Sequence, residues 1–280
     1  MFRPGLFLHG GAGGRISPER VAAIRRSLEA VCESSFRRLT RHSALATVVF
    51  AVRTLEDNPL FNAGTGSVLQ QDGRVRMSAS VMDGARRRFA AVSNIEGVRN
   101  PVCVAQALLA HADRVLEGRH ASRFAHSSGH GAWNPATPER RRQWRRRLHS
   151  PHGTVGAVAV DMQGRLAAAT STGGKLDARA GRVSDSGTPA GNYADANAAV
   201  SCTGMGEEIL EEALAARLIE QVAQGVPLPR ALEKTFRDLT RRRRRLAAIG
   251  LTRRGELSWA STLPILYAVG RTGRRMVLTF

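Results

Sequence analysis

The sequence predicts a layered α/β fold in which helices and β-sheets pack face to face. Helical patterns and a hairpin occupy the first part of the chain, a strand pair follows the middle, and a helix pair then precedes a set of short strands. This order suits layered sheets better than a series of right-handed βαβ units. With 280 residues, 42% of them hydrophobic, the chain is long enough to bury a large core.

The first half of the chain contains two helical patterns with recognisable ends. Ser17 and Pro18 have the chemistry of a helix start, and Pro59 follows the second pattern closely enough to end it. The dipeptide Asp72-Gly73 between two apolar runs predicts a hairpin. The predicted elements here are a strand at 6–8, a glycine-rich turn at 9–14, helices at 17–38 and 43–55, hairpin strands at 67–71 and 75–81, and a helix at 102–117.

The apolar periodicity fades over residues 119–153, a tract that includes the basic run 140–147. A tract of this length without helix or strand pattern predicts a mobile linker. The pattern sharpens again after the linker. The predicted elements there are strands at 154–160, 166–171 and 199–202, helices at 207–221 and 228–239, and short strands at 246–251, 257–261, 265–269 and 276–279.

The chain is strongly basic, with a formal net charge of +19, yet only two of its 42 basic residues are lysines. Arginine replaces lysine throughout the chain and not only in the runs 140–147 and 241–245. This indicates a compositional bias and solvated faces. Aromatic residues make up only 5%, and no nucleic-acid-binding motif is present. We therefore do not expect a nucleic-acid partner.

Membrane insertion and secretion are not expected either. No apolar run is long enough to cross a bilayer, and residues 1–8 lack a basic region followed by a sustained apolar stretch. A cytoplasmic location is the resulting expectation. Cys32, Cys103 and Cys202 are far apart and odd in number, which predicts buried free thiols rather than disulfides or a metal site.

The pair Gly153-Thr154 is a candidate point of self-cleavage, because it lies between the patternless tract and a strong strand pattern. A threonine hydroxyl can attack the preceding carbonyl, form an ester and be released by water as a new N-terminus. Gly153 has no side chain to oppose the strained backbone that this attack requires. The new amine, with a reference pKa of about 7.7–8.0, can then act as base for its own hydroxyl. By position alone, however, a threonine at the start of a strand is usually an ordinary strand residue.

Polar residues downstream favour the catalytic interpretation. Thr172 ends the strand that would pair with the strand after Thr154. Arg182 and Asp185 are close enough in sequence to bind the α-carboxylate and the α-ammonium group of one amino acid. The segment 203–206, with sequence TGMG, precedes a predicted helix, and its hydroxyl and a backbone N–H could hold an oxyanion.

Most of the chain resembles a known family through six segments in the family's order: LHGGAG, LEDNPLFNAGTGSVL, HGTVGAVAVD, AAATSTGGK, GRVSDS and AVSCTGMGEE. They are similar to those of the plant-type (type 2) L-asparaginase and isoaspartyl peptidase family of N-terminal nucleophile hydrolases. The resemblance implies an αββα four-layer sandwich, cut into an α subunit (1–153) and a β subunit (154–280) that together form one domain, and an (αβ)2 assembly. It implies hydrolysis of L-asparagine and β-aspartyl dipeptides, without a cofactor for catalysis.

The resemblance also implies roles for individual residues. They are the nucleophile Thr154 at the cleavage site with Gly153, its neighbours Thr172 and Asn62, the oxyanion-hole residues Thr203 and Gly204, and the substrate anchors Arg182, Asp185 and Gly206. A structural sodium ion is implied as well, since oxygen ligands suit a hard cation. Its implied ligands are the backbone carbonyls of Leu55, Glu56, Asn58, Phe61, Ala63 and Thr65.

Three departures from the family pattern leave substrate preference and cleavage efficiency open. Arg76 and Ser78 stand where an acidic pair is usual, Ser184 replaces a glycine, and the loop 185–203 is shorter. None of these changes removes an implied catalytic group.

Two alternative functions remain at this point. One is a glycosylasparaginase-like amidase, whose threonine loop typically has asparagine where this chain has Gly173 or Gly174. The other is an unprocessed, inactive homologue whose basic surface binds an anionic partner. His149 and His152 are interpreted as linker residues, with His152 also a candidate to assist cleavage.

Overall fold

The computed structural model of the protein describes residues 2–147 and 153–280. Its strands are β1 (Gly5–Gly13), β2 (Met77–Asp83), β3 (Arg88–Ile95), β4 (Val115–Glu117), β5 (Val155–Val160), β6 (Leu166–Thr172), β7 (Asn192–Ala194), β8 (Ala198–Gly204), β9 (Leu246–Thr252), β10 (Leu257–Ser261), β11 (Ile265–Thr272) and β12 (Arg275–Thr279). Its helices are α1 (Pro18–Leu39), α2 (Ala44–Glu56), α3 (Pro101–Leu108), α4 (Gly118–Ser127), α5 (Pro138–Arg145), α6 (Gly206–Glu211), α7 (Leu214–Ala223) and α8 (Leu228–Arg241). The fold is thus mixed α/β, as predicted.

The larger sheet has eight strands in the order β12-β11-β1-β5-β6-β2-β3-β4. Its central hairpin, β5–β6, pairs antiparallel with Val155 opposite Ser171 and Val160 opposite Leu166. Thr154 directly precedes β5, and Thr172 is the last residue of β6. This register therefore brings the two threonines together at one end of the hairpin.

Helices α1 and α2 begin at the serines that the sequence marks as caps. Ser17 accepts a hydrogen bond from the backbone N–H of Arg20, and Ser43 accepts one from that of Ala46. Capping of this kind satisfies backbone donors that have no partner inside the helix. The apolar faces of both helices pack on the larger sheet, where Leu28 and Val48 are fully buried.

The smaller sheet has the order β10-β9-β8-β7 and contacts the larger one through β8 and β9. Phe7, Val158 and Ile249 are fully buried in the apolar cluster shared by the two sheets. Helices α7 and α8 pack against the smaller sheet through a separate cluster that includes Leu218 and Leu232. Residues 203 and 204 end β8, so the backbone there is anchored by a buried sheet.

The glycine-rich segment 9–14 is not the predicted turn, because β1 continues through Gly13. Its pairing with β11 shifts register between His9 and Ala12, and the glycines serve close packing instead. A Cβ atom at Gly10 would lie 2.5 Å from Cε1 of Phe61. Local glycine content cannot reveal that a distant strand, β11, pairs with this segment and holds it extended.

The predicted hairpin at 67–81 is also wrong. The dipeptide Asp72-Gly73 does form a turn, with the Gly73 N–H donating to the Gln70 carbonyl at 2.9 Å, but residues 67–71 are not a strand. Strand β2 pairs instead with β6 and with β3. Neither β3 nor β7 was predicted from the sequence. Non-local pairing overrides the short-range signal here.

Three further expectations need correction. The predicted helix 102–117 ends with α3 at Leu108, and β4 follows. The predicted helix 207–221 is split into α6 and α7 at Ala213, whose φ is 45°. The tract 119–153 contains α4 and α5 in its described part, so a linker without regular structure is the wrong description there. The remaining predicted helices and strands occur within a few residues of their expected bounds.

Candidate active site

A cleft of about 270 Å³ opens where the β5–β6 hairpin, the end of β8 and the loop 174–185 meet. It is lined by all nine residues proposed for cleavage, catalysis and substrate binding: Asn62, Gly153, Thr154, Thr172, Arg182, Asp185, Thr203, Gly204 and Gly206. The folded chain thus brings together residues that are far apart in sequence, from Asn62 to Gly206, a separation of 144 residues. Lys175 and Arg245 also line the cleft, so its walls are basic.

The candidate nucleophile lies beside a second hydroxyl. Thr154 Oγ1 donates a hydrogen bond to Thr172 Oγ1 at 3.0 Å. Thr172 Oγ1 in turn accepts the N–H of Gly174 at 3.1 Å. The Thr172 side chain is therefore held by the backbone after β6 and is positioned to orient the Thr154 hydroxyl, as the sequence analysis expected from strand pairing.

Asn62 organises the bond that precedes Thr154. Its backbone N–H donates to the Gly153 carbonyl at 3.1 Å, and its side chain donates to the Gly174 carbonyl at 2.7 Å. The φ of Gly153 is 151°, and a Cβ atom there would collide with the Asn62 backbone. Glycine is thus required before Thr154, and the carbonyl that Thr154 would attack already has a hydrogen-bond donor.

His9 is a residue of this site that sequence reasoning missed. It is fully buried, and its Nδ1 lies 3.2 Å from the Thr154 carbonyl oxygen, an acceptor. Nδ1 must therefore carry the proton, so Nε2 accepts from the Ser201 hydroxyl at 2.9 Å. Burial lowers the pKa of His9 to about 3, which keeps the ring neutral. Thr170 Oγ1, 2.7 Å from Ser201 Oγ, extends the chain of polar groups below Thr154.

Gly156, on the neighbouring strand β5, leaves room for the His9 ring. A Cβ atom at Gly156 would collide with both the Ser201 hydroxyl and the His9 ring. The only signal that could have revealed His9 is its place beside glycines in LHGGAG, because nothing local shows that β1 lies next to β5.

Arg182 and Asp185 both line one wall of the cleft. Arg182 donates to both carboxylate oxygens of Glu207, at 2.7 and 2.9 Å, and this hydrogen bond lowers the pKa of Glu207 to about 2. Burial raises the pKa of Asp185 to about 6, partly opposed by Arg182. Oδ2 of Asp185 is buried and has no hydrogen-bond partner among the described residues.

Gly206 and Gly204 bring the backbone close to this pair. A Cβ atom at Gly206 would lie 2.6 Å from Arg182 Nη2 and 2.8 Å from Asp185 Oδ1. Gly204 has a φ of 135°, and a Cβ atom there would lie 2.5 Å from the Arg245 carbonyl oxygen. Both positions therefore exclude side chains, because backbone and side-chain atoms of this wall already occupy the space where a Cβ would lie.

The loop implied to hold sodium is compact, and its carbonyls are partly used. Leu55, Glu56 and Asn58 accept backbone N–H groups from within the loop at 2.7–3.2 Å. The Phe61 carbonyl accepts a hydrogen bond from Arg140 at 3.4 Å, so a guanidinium competes for one of the six ligands. The sodium site stays a prediction, and no cluster of acidic, histidine or cysteine side chains suited to a metal occurs in the described ranges.

The departures from the family pattern have structural consequences. Arg76 pairs with Asp72 at 2.8 Å and with Glu96 at 2.9 Å, outside the residues that line the cleft. Ser184 lies in the cleft wall, and its hydroxyl donates to Asp185 Oδ1 at 3.2 Å. Serine at this position thus gives the Asp185 carboxylate an additional donor. Ser78 is buried, opposite Thr172 across the β2–β6 pair.

Other expectations have mixed outcomes. Cys32 and Cys202 are buried free thiols as expected, whereas Cys103 is only half-buried. His149 and His152 lie outside the described residues. None of the described helices is both long and apolar enough to cross a membrane. Most of the basic runs is exposed, but Arg140 is buried at 2% exposure, contrary to the expectation of a solvated face.

Comparison with known proteins gives a consistent result. Residues 2–279 match the family model described as asparaginase. The chain is 40% identical to an isoaspartyl peptidase/L-asparaginase of Synechocystis sp., covering 96% of this chain and 88% of the relative. It is 39% identical to a plant-type L-asparaginase of Pyrococcus furiosus (84% and 85%) and 37% identical to an isoaspartyl peptidase/L-asparaginase of Xenopus laevis (80% and 77%).

The fold and the cleft define an α/β protein whose site combines a threonine pair with an arginine–aspartate pair. The chain belongs to the plant-type asparaginase and isoaspartyl peptidase family, and the resemblance drawn from its six segments is confirmed.

Proposed function

We propose that the protein is an autoprocessing amidohydrolase that hydrolyses L-asparagine and β-aspartyl dipeptides with Thr154 as its N-terminal nucleophile. The observation that carries the proposal is the arrangement at Gly153-Thr154. The Thr154 hydroxyl is hydrogen-bonded to Thr172, and the preceding carbonyl is hydrogen-bonded to the N–H of Asn62. The names of the relatives, which include both activities, support the same choice.

Self-cleavage would begin with attack of Thr154 Oγ1 on the carbonyl carbon of Gly153. The hydroxyl proton passes to the departing amide nitrogen, and the acyl group moves from nitrogen to oxygen, forming an ester. Charge that develops on the Gly153 oxygen is stabilised by the N–H of Asn62, which already points at it. Water then hydrolyses the ester, which leaves a carboxylate on Gly153 and a free amine on Thr154.

In substrate hydrolysis the free amine of Thr154 acts as base for its own hydroxyl. The hydroxyl attacks the side-chain amide carbon of the substrate, and ammonia or an amino acid leaves with a proton. Thr203 and the backbone at Gly204 stabilise the oxyanion, and water releases aspartate from the resulting ester. Thr172 keeps the nucleophile oriented during both steps through its 3.0 Å hydrogen bond.

Arg182 and Asp185 explain how the substrate is oriented. Arg182 uses its Nε and one Nη2 hydrogen on Glu207, and its remaining Nη1 and Nη2 hydrogens are the donors for the α-carboxylate. Oδ2 of Asp185 accepts the α-ammonium group. Both L-asparagine and β-aspartyl dipeptides present this same end. A side chain at Gly173 would collide with Asn62 and lie 2.5 Å from Ser67 Cβ, which argues against the asparagine of a glycosylasparaginase-like loop at that position.

The proposal extends to the assembly. Helices on the outer faces of two packed sheets support an αββα four-layer sandwich of the N-terminal nucleophile type. Cleavage would give subunits 1–153 and 154–280, and we propose that they remain together as (αβ)2.

The test is intact-mass spectrometry of the purified protein beside Thr154→Ala, with activity measured on L-asparagine and a β-aspartyl dipeptide. We expect the wild type to yield fragments beginning at Met1 and Thr154 and to release aspartate, while the variant stays whole and inactive. A folded wild-type chain that never cleaves would refute the proposal. Cleavage without hydrolysis of either substrate would limit it to self-processing.

A further inference from the structure

One arginine of helix α5, in the tract before the cleavage point, points into the protein. Arg140 is 2% exposed, whereas its neighbour Arg141 is exposed. The Arg140 guanidinium donates from Nε to the Gly66 carbonyl at 2.5 Å and from Nη2 to the Phe61 carbonyl at 3.4 Å. Its Nη1 donates to the side chain of Gln143 at 2.9 Å. Burying a guanidinium is costly unless its donors are used, so these contacts determine where Arg140 lies.

Residues 133–144, here called the strap, contact the loop 61–67 at further points. The Gly66 N–H donates to the Pro135 carbonyl at 2.9 Å, so both backbone polar groups of Gly66 are bound to the strap. Trp133 Nε1 donates to Thr65 Oγ1 at 3.1 Å. The conformation of the loop therefore depends on a segment that the sequence presents as a linker.

The contact with Phe61 has a specific electronic consequence. The Phe61 carbonyl and the Asn62 N–H belong to one peptide group, and that N–H donates to the Gly153 carbonyl at 3.1 Å. A cationic donor on the oxygen of an amide polarises the amide and makes its N–H a stronger donor. The positive charge of Arg140 is thus relayed through a single peptide to the carbonyl of the bond to be cut.

We propose that Arg140 is a positioning residue for self-cleavage, which holds and polarises the Phe61–Asn62 peptide so that its N–H stabilises the oxyanion formed on Gly153. This rests on the proposed function, since it concerns the cleavage step. The strap then belongs to the processing machinery, because it precedes the bond in the same chain and is folded against the loop before the bond is cut.

The experiment follows cleavage by intact mass for purified wild type, Arg140→Ala and the matched control Arg141→Ala, with far-UV circular dichroism as the test of folding. We expect Arg141→Ala to cleave like the wild type and Arg140→Ala to cleave about 10- to 100-fold more slowly, the range for loss of a charge-assisted hydrogen bond. Guanidinium chloride at low millimolar concentration should restore part of the rate of Arg140→Ala, whereas sodium chloride at equal ionic strength should not.

A folded Arg140→Ala variant that cleaves at the wild-type rate would overturn the inference. If that variant does not fold, Arg140→Gln takes its place, because glutamine keeps a hydrogen-bond donor but removes the positive charge. Cleavage of folded Arg140→Gln at the wild-type rate would overturn it equally. A wild-type chain that never cleaves removes the proposed function itself, whereas cleavage that is insensitive to residue 140 removes only this inference.

Discussion

The contact between His9 and Thr154, the proposed nucleophile, leads to a quantitative prediction. His9→Phe keeps a ring in the buried site but removes the donor to the Thr154 carbonyl and the acceptor for Ser201. Ser201 keeps Thr170 as a partner, so only the Thr154 carbonyl loses its donor. A buried polar group left without a partner costs about 1–3 kcal/mol, which is the fall in the free energy of unfolding that we expect. Misplacement of a reacting group by about 1 Å can cost 100-fold in rate, which is the loss of kcat we expect.

His9→Asn is the matched variant, because the asparagine Nδ2 can replace Nδ1 as donor to Thr154. Its kcat should stay within about tenfold of the wild type, since one hydrogen bond is worth about 1 kcal/mol net. The assays are initial rates on L-asparagine, cleavage by intact mass and thermal melting. If folded His9→Asn were as impaired as His9→Phe, or if His9→Phe matched the wild type, the positioning role would be refuted.

His9 should also make the stability of the protein depend on pH. Burial lowers the pKa of His9 from 6.5 to about 3, so between these values the unfolded chain binds a proton that the folded chain does not. The stabilisation from neutral His9 is complete above pH 6.5 and is lost as the pH falls towards 3. Denaturant melts of the wild type should therefore show a steeper fall in stability over this range than melts of His9→Asn.

Two further predictions concern the cleft. Burial raises the pKa of Asp185 to about 6, and only the carboxylate can accept the substrate ammonium, so KM for L-asparagine should rise as the pH falls below about 6. A KM independent of pH between 5 and 7 would contradict this. Gly173→Ala places a Cβ against Asn62 and Ser67, and such overpacking should cost about 1–3 kcal/mol, measured as a lower Tm and slower cleavage. Gly131→Ala, whose Cβ would meet nothing within 4 Å, is the control and should leave both unchanged.

Much of this protein could be predicted from local sequence patterns. Helix α1 begins at Ser17-Pro18, α2 ends near Asp57-Asn58-Pro59, and the β5–β6 hairpin follows from two apolar runs separated by a polar turn. These elements depend on caps, breakers and periodicity, which act within a few residues. The residues proposed for the site could be predicted because they lie in segments that resemble a family, and the cleft contains each of them.

What the sequence by itself determined is therefore the order of most elements and the chemical groups of the site. Tertiary structure alone decided their partners. Strand β1 continues through its glycines because β11 pairs with it as far as Gly13, and His9 reaches Thr154 only across the pairing of β1 with β5. Arg140 is buried because its donors meet carbonyls of a loop more than 70 residues away. Such contacts arise from packing between distant segments, and no local pattern records which segments will meet.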